Sequence, residues 1–388
     1  MIENIKILHL TSDNIFTDAA YKNFESVAPL CNTFLIHSLN KKLKNIKKTP
    51  VEFINPISFK NPFFMKSLEK YDFIVLHSLN EFNQEVVAHA SPCLKFVWIG
   101  MGLDYYDIIY EDRESLYQEQ TKDIIKGLAK KKNSTSNLLK RLAKSIFYKN
   151  LEKKAIVEKI NFFAPVLENE YDMVASKFKS NFPDYVNWNY GSTSEIIEGK
   201  MKHSNLNGNN ILVGNSATPT NNHLEIFGFL RTQNMNGKKI ICPLSYGDSE
   251  YASILRNKGK VYFGNSFLSV DEFMPYEKYI NLISSCSNVI MNHHRQQGTG
   301  NILAMLYLGA KVFLNEKNPL YAYYKENGVV IFNVDELYKN SSLLDLHLSE
   351  EDIEKNRQIL KLRFSEKTVL SKTENLIKKV ISSSKSSD

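Results

Sequence analysis

The stretch Asn288–Asn301 combines an apolar run, a cluster of polar side chains and two glycines. Arg295 supplies a planar guanidinium that suits phosphate oxygens, while Gly298 and Gly300 let the backbone approach a ligand closely. The apolar helix Ile302–Leu308 follows, and the amides at a helix N-terminus favour an anion. A diphosphate is the natural occupant of such a site. The alternative interpretation is an ordinary glycine turn between a strand and a helix.

Three further loops of the second half place polar side chains directly after predicted strands. They contribute Gly214, Asn215 and Ser216, then Tyr246, and then Asn315, Glu316 and Asn318, while the opening stretch adds Gln296, Gln297 and Thr299. Each loop alone also suits a capped turn or a solvated loop. Together the four loops favour a nucleotide site, with Tyr246 stacked on a base and Glu316 bound to ribose or sugar hydroxyls. The glycine spacing excludes a P-loop and a dinucleotide fingerprint.

The first half offers three candidate general bases at the ends of predicted strands. Asp104 is the first choice, His77 the second and Asp13 the third. Each could accept a proton from an attacking hydroxyl group, although a lone histidine is more often a structural residue. The pair His293-His294 would point in alternate directions in an extended chain, so it does not indicate a metal site.

Short apolar runs alternate with helical patterns along the whole chain. The predicted strands are Ile5–Leu10, Thr33–Ile36, Val51–Ile54, Phe73–Leu76, Lys95–Ile99, Asn161–Val166, Asn210–Val213, Lys239–Cys242, Lys260–Phe263, Asn288–Met291, Lys311–Leu314 and Val329–Phe332. This alternation predicts βαβ units and parallel sheets, whose ligands bind at the carboxyl ends of the strands. The expected fold class is α/β, with two Rossmann-like, doubly wound domains facing across a cleft.

The domain boundary is expected in a polar, linker-like segment at residues 191–209. Residues 1–190 would form the N-terminal domain and residues 210–365 the C-terminal domain. Residues 366–388 would form a C-terminal helix and a frayed tail. A chain of 388 residues also exceeds one typical domain.

Composition narrows the class of protein. Hydrophobic residues make up 43% of the chain, enough for sizeable cores. The four cysteines form no CxxC pair, which favours reduced, mostly buried thiols in a cytosolic protein over a zinc site or a disulfide framework. No secretory signal and no apolar run long enough to span a bilayer is expected.

The net charge of +7 is concentrated in one segment. Residues 122–160 carry 12 Lys/Arg and 3 Asp/Glu, a charge of +9, which leaves −2 for the rest. Within it, Ser136–Asn150 predicts a basic amphipathic helix that binds an anionic membrane surface. A helix packed on its own domain is the alternative. Nucleic acid is not an expected partner, because no nucleic-acid-binding motif accompanies the charge.

Several of these segments together resemble the TDP-N-acetylfucosamine:lipid II N-acetylfucosaminyltransferase family of enterobacterial common antigen synthesis. The matching segments are Val213–Ser216, Pro243–Gly247, Arg295–Asn301, Leu314–Pro319 and Trp98–Tyr106, with His77 and Asp13 at corresponding strand ends. Two departures are Met101 in place of a tryptophan and the polar pair His293-His294 before the arginine. The resemblance covers most of residues 5–325.

The resemblance implies a GT-B glycosyltransferase in which residues 1–190 form the acceptor-binding domain and residues 210–365 the nucleotide-sugar-binding domain. It implies no need for a metal, because a helix dipole and side chains neutralise the departing diphosphate. It implies a nucleoside-diphosphate sugar as donor, TDP-N-acetylfucosamine or another dideoxy-amino sugar on TDP or UDP, and a lipid-linked oligosaccharide as acceptor. The expected location is cytoplasmic, on the inner face of the bacterial plasma membrane. Three alternatives stay open: a transferase with a soluble or protein acceptor, a non-catalytic nucleotide-sugar sensor, and a sugar-nucleotide epimerase.

Overall fold

The computed structural model describes residues 2–39, 41–110, 112–131, 151–191 and 205–383. Its strands are β1 (Ile7–Thr11), β2 (Asn32–His37), β3 (Glu52–Ile54), β4 (Phe73–His77), β5 (Phe96–Ile99), β6 (Phe162–Ala164), β7 (Asp184–Tyr185), β8 (Asn210–Val213), β9 (Ile240–Pro243), β10 (Phe267–Val270), β11 (Cys286–Met291), β12 (Lys311–Leu314) and β13 (Phe332–Asn333). Its helices are α1 (Thr17–Val27), α2 (Pro62–Ser67), α3 (Glu81–His89), α4 (Tyr106–Ile109), α5 (Glu119–Lys131), α6 (Lys153–Val157), α7 (Glu168–Ala175), α8 (His223–Leu230), α9 (Ser249–Phe263), α10 (Tyr276–Ile283), α11 (Thr299–Leu308), α12 (Pro319–Glu326), α13 (Val334–Lys339), α14 (Glu350–Phe364) and α15 (Glu366–Ser382).

The chain divides into two compact units. The first unit comprises Met1–Glu111, Thr135–Ser192 and Phe364–Asp388, and the second comprises Asp112–Ser134 and Thr193–Arg363. Each unit is built on one sheet whose strands all pair in parallel, with helices between them. These two sheets confirm the prediction of two doubly wound α/β domains.

The sheet of the first unit has the order β3-β2-β1-β4-β5-β6-β7. Its central strands β1 and β4 are buried along their whole length, as expected for a doubly wound sheet with both faces covered. The C-terminal helix α15 packs against α1, and Trp188 Nε1 donates to Thr373 Oγ1 over 2.9 Å. The last helix of the chain therefore belongs to the core of the first unit, where Leu376 and Val380 are buried.

The sheet of the second unit has the order β10-β9-β8-β11-β12-β13. Apolar side chains of β8, β9 and β11 pack with those of α8 and α9 in one core. The strand order reverses between β8 and β11, and in the first unit it reverses between β1 and β4. Ligands of doubly wound sheets bind at such reversals, outside the carboxyl ends of the strands.

Most predicted strands are present, but the prediction for Lys260–Phe263 is wrong. These residues form the last turn of α9, and the strand follows at Phe267–Val270. The Asp248 side chain accepts the backbone N–H groups of Glu250 and Tyr251, so the helix begins there and continues to Gly264, whose φ of 54° ends it. The β propensity of these residues is outweighed by the well-capped helix that contains them.

The two units differ from the expected domain limits at two places. The segment that contains α5 lies in the second unit, because Ile124, Ile125 and Leu128 pack against the core of that unit. Helix α15 returns to the first unit. The basic helix predicted at Ser136–Asn150 lies outside the described residues, as does most of the predicted linker at 191–209.

All four cysteines are free thiols, as predicted. Cys242 and Cys286 are buried, Cys31 is partly buried and Cys93 is exposed, so only half of them match the expected burial.

Candidate functional site

The loops after β8 and β11 leave the sheet of the second unit at its topological switch. Val213 pairs with Ile290 at the ends of these strands, so the next residues of both strands start side by side. Gly214, Asn215 and Ser216 follow β8, and the polar run that ends at Gly298 follows β11. The predicted diphosphate residues of these two loops therefore lie together.

Gly214 lets the loop after β8 fold back tightly on itself. Its φ is 69°, a left-handed conformation that an L side chain rarely adopts. A Cβ at this position would lie 2.3 Å from His223 Nε2 and 2.8 Å from Asn221 Oδ1. Only glycine fits here, and the next residue, Asn215, donates its backbone N–H to Asn221 Oδ1 over 2.9 Å.

Gln297 ties the two loops to each other. Its Nε2 donates to Asn215 Oδ1 over 3.0 Å and its Oε1 accepts the Thr220 hydroxyl over 2.6 Å. Ser216 Oγ accepts from Asn221 Nδ2 over 3.3 Å on the same side. Because these amides and hydroxyls bond one another while buried, the loop geometry is set before any ligand arrives.

The N-terminus of α11 lies where the loops after β8 and β11 meet. Gly298 is the N-cap residue, with a φ of 68°, and it has no side chain to satisfy the first helical N–H groups. Arg295 is only 6% exposed, and its Nη1 donates to the Gln296 carbonyl over 3.1 Å. The Gln296 amide donates to the Thr299 hydroxyl. Unpaired helix amides beside a buried cation make a strong site for an anion.

Tyr246 lies at the edge of this arrangement. Its hydroxyl oxygen accepts the Asn215 amide N–H over 2.8 Å, while the residue remains 53% exposed. Partial burial raises the pKa of Tyr246, and the hydrogen bonds and the positive charge of Arg295 oppose this rise. The charge of Arg295 thus reaches Tyr246, whose exposed ring is available for stacking.

The loop after β12 contributes less directly to the candidate donor site. Asn315 donates its amide N–H to Asn292 Oδ1 over 2.8 Å, which fixes this loop to the one after β11. Asn318 caps α12 by accepting the N–H of Leu320, and Pro319 occupies the first helical position. Glu316 is exposed between them. Asn315 and Asn318 therefore have structural bonds, while Glu316 faces solvent.

Sequence reasoning missed two asparagines that hold the site. Asn221 accepts both Asn215 N–H and His293 Nε2–H, the latter over 2.7 Å. Asn222 is buried with a φ of 51°, and its amide donates to the Asn292 carbonyl over 3.0 Å. The signal available was an Asn-Asn pair after a strand, since asparagine tolerates the left-handed region better than other side chains.

The segment before α5 braces the same loops from outside. The Gln118 backbone N–H donates to Asn222 Oδ1 over 2.9 Å, and the Gln118 side chain exchanges hydrogen bonds with Asn292. Thr121 donates to both carboxylate oxygens of Glu225 on α8. The residues that lead into the basic segment are thus bonded to the loops of the candidate donor site.

In the first unit, the candidate base Asp104 has a structural role. One carboxylate oxygen, Oδ2, accepts Leu79 N–H and Trp98 Nε1–H, both at 2.8 Å, and Oδ1 accepts Met101 N–H at 2.8 Å. A carboxylate has about four acceptor positions, so three bonds leave one on this half-buried group. Asp104 keeps the capacity to accept one further proton donor.

The candidate base His77 is part of a buried hydrogen-bond chain. His77 Nε2 lies 3.0 Å from His9 Nδ1, and His9 Nε2 lies 3.2 Å from Asn32 Oδ1. The Asn32 amide nitrogen donates elsewhere, so Asn32 Oδ1 accepts from His9 Nε2–H. His9 Nδ1 is then the acceptor, and His77 Nε2–H donates to it. Tyr190 O–H then donates to His77 Nδ1 over 2.7 Å. Both ring nitrogens of His77 are used inside the unit.

Asp13 anchors a loop. Its carboxylate accepts the backbone N–H groups of Lys44, Asn45 and Ile46 over 2.7 to 3.0 Å. Desolvation raises the pKa of Asp13, but these three bonds and the charge of Lys47 outweigh it, so the pKa is lowered. A carboxylate held in this way is a weak general base and a strong cap for the chain that follows β2.

Three histidines of the first unit, of which His9 and His77 are fully buried and His37 is partly buried, predict acid sensitivity. Burial lowers the pKa of His9 to about 3, that of His37 to about 4, and that of His77 well below its usual value. Unfolded histidines bind a proton near pH 6.5, so stability is complete above that pH and is lost as the pH falls toward the folded values. We expect the free energy of unfolding to fall by up to about 1.4 kcal/mol per histidine and pH unit below pH 6.5.

Both tryptophans, Trp98 and Trp188, lie in the first unit, so their fluorescence reports its unfolding alone. Urea titrations at pH 7, 6 and 5 measure the effect. A fluorescence midpoint that is unchanged between pH 7 and pH 5 would show that these histidines are not buried in the neutral form.

Within the described ranges, no group of three or more His, Cys, Asp or Glu side chains is arranged to hold a metal ion. Metal-independent transfer stays a prediction. None of the helices in that part of the chain is long and apolar enough to cross a membrane.

Comparison with known proteins bears out the enzyme class. Residues 184–360 match the model of the family described as 4-alpha-L-fucosyltransferase glycosyl transferase group 56. These residues include every loop of the candidate donor site. The match confirms the prediction of a glycosyltransferase, and it does not extend to the TDP-N-acetylfucosamine family in particular.

Solved structures confirm the predicted GT-B fold. The chain is similar to Anabaena HepE, solved with UDP and glucose, at a TM-score of 0.61 and 13% identity over 98% of this chain and 100% of that one. It is similar to sucrose-phosphate synthase from Thermosynechococcus elongatus at 0.61 and 8% identity, covering 98% and 100%. The lipopolysaccharide outer core galactosyltransferase WaaB gives 0.60 and 8%, covering 97% and 99%. At these identities the likeness establishes the fold, and the chain is a glycosyltransferase of the GT-B type.

Proposed function

We propose that this protein transfers a dideoxy-amino sugar from a nucleoside-diphosphate sugar, of the TDP-N-acetylfucosamine kind, to a lipid-linked oligosaccharide in bacterial surface polysaccharide synthesis. The observation that carries the proposal is the uncapped N-terminus of α11, opened by Gly298 beside the buried Arg295 at the switch of the second sheet. Transfer leaves a nucleoside diphosphate, whose charge must be stabilised as the glycosidic bond breaks. Preorganised amides and a cation do this without further reorganisation.

The other predicted donor residues have parts in the same proposal. The diphosphate would lie between the loop of Gly214 to Ser216 and the N-terminus of α11. Tyr246 would stack on the nucleobase, and Glu316 would accept hydrogen bonds from hydroxyl groups of the ribose or the sugar. Support comes from the exposure of these two side chains beside loops that are otherwise bonded internally. No metal is needed in this arrangement, because the positive charge comes from the protein.

Asp104 is the proposed base that activates the acceptor hydroxyl. Its remaining acceptor position supports this choice. Both ring nitrogens of His77 are bonded inside the unit, and three backbone hydrogen bonds together with the charge of Lys47 lower the pKa of Asp13, which makes it a weaker base. A general base must be able to reach the proton that it removes. The first unit would accordingly bind the acceptor.

A lipid-linked acceptor also requires the enzyme to work at a membrane surface. We place the protein on the cytoplasmic side of the plasma membrane as a peripheral enzyme, with the basic residues near 122–160 as one contact to anionic lipid. The charge of +9 in that segment supports this part of the proposal.

Nucleotide binding tests the donor site. Purified protein is heated with TDP, UDP, GDP, ADP or CMP, and the melting temperature is recorded for each. A ligand that binds only the folded state stabilises it by about 2.7 kcal/mol at a concentration of 100 Kd. We expect a selective increase with TDP or UDP.

The same panel distinguishes donor binding from general anion binding. Inorganic pyrophosphate is the matched control, because it has the diphosphate but no nucleobase to stack on Tyr246. If no nucleotide raises the melting temperature, the proposed function is wrong. If a nucleotide binds but no sugar is transferred to lipid-linked saccharide, the acceptor part of the proposal fails while the donor site stands.

A further inference from the structure

The first unit carries a lysine-rich range, Leu39–Lys70, that begins after β2, contains the edge strand β3 and runs to just before β4. The segments that leave these strands, Leu39–Pro50 and Asn55–Lys70, contain eight lysines, while the whole range Leu39–Lys70 contains two glutamates and no arginine. Its net charge is therefore +6. This range lies outside the basic segment 122–160 and has no part in the candidate donor site.

The structure holds the first of these segments in place by two carboxylates. Asp13 binds the N–H groups of residues 44–46, and Asp18 binds those of Lys47, Lys48 and Thr49. Hydrogen bonds lower the pKa of Asp18 against the effect of desolvation, so the clamp stays ionised. Because the backbone supplies these bonds, the side chains of Lys44, Lys47 and Lys48 are left at the surface, where all three are exposed.

The second segment adds apolar side chains to the same corner of the unit. Phe82 contacts the end of β2 through His37, with 4.5 Å between ring centroids, and the second segment through Phe59 at 6.2 Å. Phe63, on α2, is 86% exposed, and Leu39 is 76% exposed. The range therefore combines exposed apolar side chains with a high density of lysines, the combination found in segments that bind at a membrane interface.

We propose that this surface, Leu39–Lys70, docks on an anionic phospholipid bilayer, with the lysines at the headgroups and Phe63 and Leu39 inserted at the interface. Lysines attract an anionic leaflet, and aromatic and aliphatic side chains enter the boundary between headgroups and acyl chains. An RNA partner fits less well, because Leu39 offers nothing to a base and the segment has no arginine for bidentate contacts.

The inference deepens the proposed function, since it rests on an acceptor that is carried by a lipid. It also gives Asp13 a role that the sequence did not suggest, which is to hold the lipid-facing loop in place. Asp13 follows β1, next to the switch of the first sheet, so the clamp connects the lipid-facing loop to the end of the sheet where ligands of this fold bind.

Vesicle sedimentation tests the surface. The full-length protein is mixed with vesicles of phosphatidylcholine and phosphatidylglycerol, or of phosphatidylcholine alone, and the bound fraction is measured. Two variants are compared with the parent, Phe63→Ser with Leu39→Ser, and Lys44→Gln with Lys47→Gln and Lys48→Gln. We expect binding only with phosphatidylglycerol present, and at least about a tenfold weaker affinity for each variant.

Matched controls distinguish binding through this surface from a general effect of exposed lysines or apolar side chains on vesicle binding. Phe273→Ser removes a phenylalanine that is 87% exposed in the second unit. Lys177→Gln with Lys179→Gln and Lys367→Gln removes three exposed lysines from the first unit. Both controls should bind like the parent. Circular dichroism and the nucleotide-dependent increase in melting temperature should be unchanged in every variant.

Three outcomes overturn the inference: no binding of the parent to phosphatidylglycerol vesicles, equal binding of the parent and both surface variants, or equal losses in the controls. Binding of the parent to a short RNA in preference to the vesicles, lost in the lysine variant, also overturns it and assigns the surface to RNA. Loss of vesicle binding in the surface variants supports it. Because vesicle binding needs no nucleotide, a failed nucleotide panel leaves this test intact, and the reverse is also true.

Discussion

Replacing Arg295 by alanine should reduce kcat/KM by about 10²- to 10³-fold and abolish the increase in melting temperature produced by the nucleotide. The loss corresponds to about 2.7–4 kcal/mol, the usual effect of removing one donor that stabilises developing negative charge. Arg295 is 6% exposed, so its charge acts in a site with little competing water. Folding should be retained, because Gln297 and Asn221 hold the two loops through bonds that do not involve Arg295.

Two comparisons make the Arg295 result specific. Arg295→Lys keeps the charge but lacks the planar fork, so its activity should lie between those of the parent and the alanine variant. Arg256→Ala removes a half-exposed arginine of the same unit that pairs with Asp271, and it should leave activity unchanged. Equal activity of Arg295→Ala and the parent would refute the role of Arg295 at the diphosphate.

Gly214→Ala should destabilise the second unit by about 2–5 kcal/mol and weaken nucleotide binding at the same time. A left-handed alanine costs about 1–2 kcal/mol, and overpacking a buried position costs about 1–3 kcal/mol. The added Cβ would lie 2.3 Å from His223 Nε2, and His223 is fully buried at the start of α8. The displaced loop would carry Asn215 and Ser216 away from the N-terminus of α11.

Urea unfolding followed by far-ultraviolet circular dichroism measures this change, and tryptophan fluorescence reports the first unit separately. Gly127→Ala is the matched control, since Gly127 lies in α5 of the same unit and a Cβ there meets nothing within 4 Å. That variant should be more stable by about 0.5–1 kcal/mol. If Gly214→Ala is as stable as the parent, the tight turn after β8 is not as described.

The loops that bear chemistry could be located from the sequence because apolar runs mark the strands and parallel strands present their carboxyl ends at one edge. The turn at Gly298, the helix end at Gly309 and the Asn318-Pro319 helix start follow from local backbone preferences, and the structure has all three. Local backbone preferences could not exclude the wrongly predicted strand at Lys260–Phe263. Its β-forming side chains also suit a helix once Asp248 has capped one upstream.

The sequence by itself determined the α/β class, the positions of most strands and the polar residues that follow them, because these depend on periodicity and on neighbouring residues. Only the tertiary structure decided which of these residues are available to a ligand. His77 and Asp13 follow strands as candidate bases should, yet their acceptor atoms bind Tyr190 and the backbone of residues 44–46. Those partners lie far away in the sequence, and hydrogen bonds between distant segments leave no local pattern from which they could be predicted.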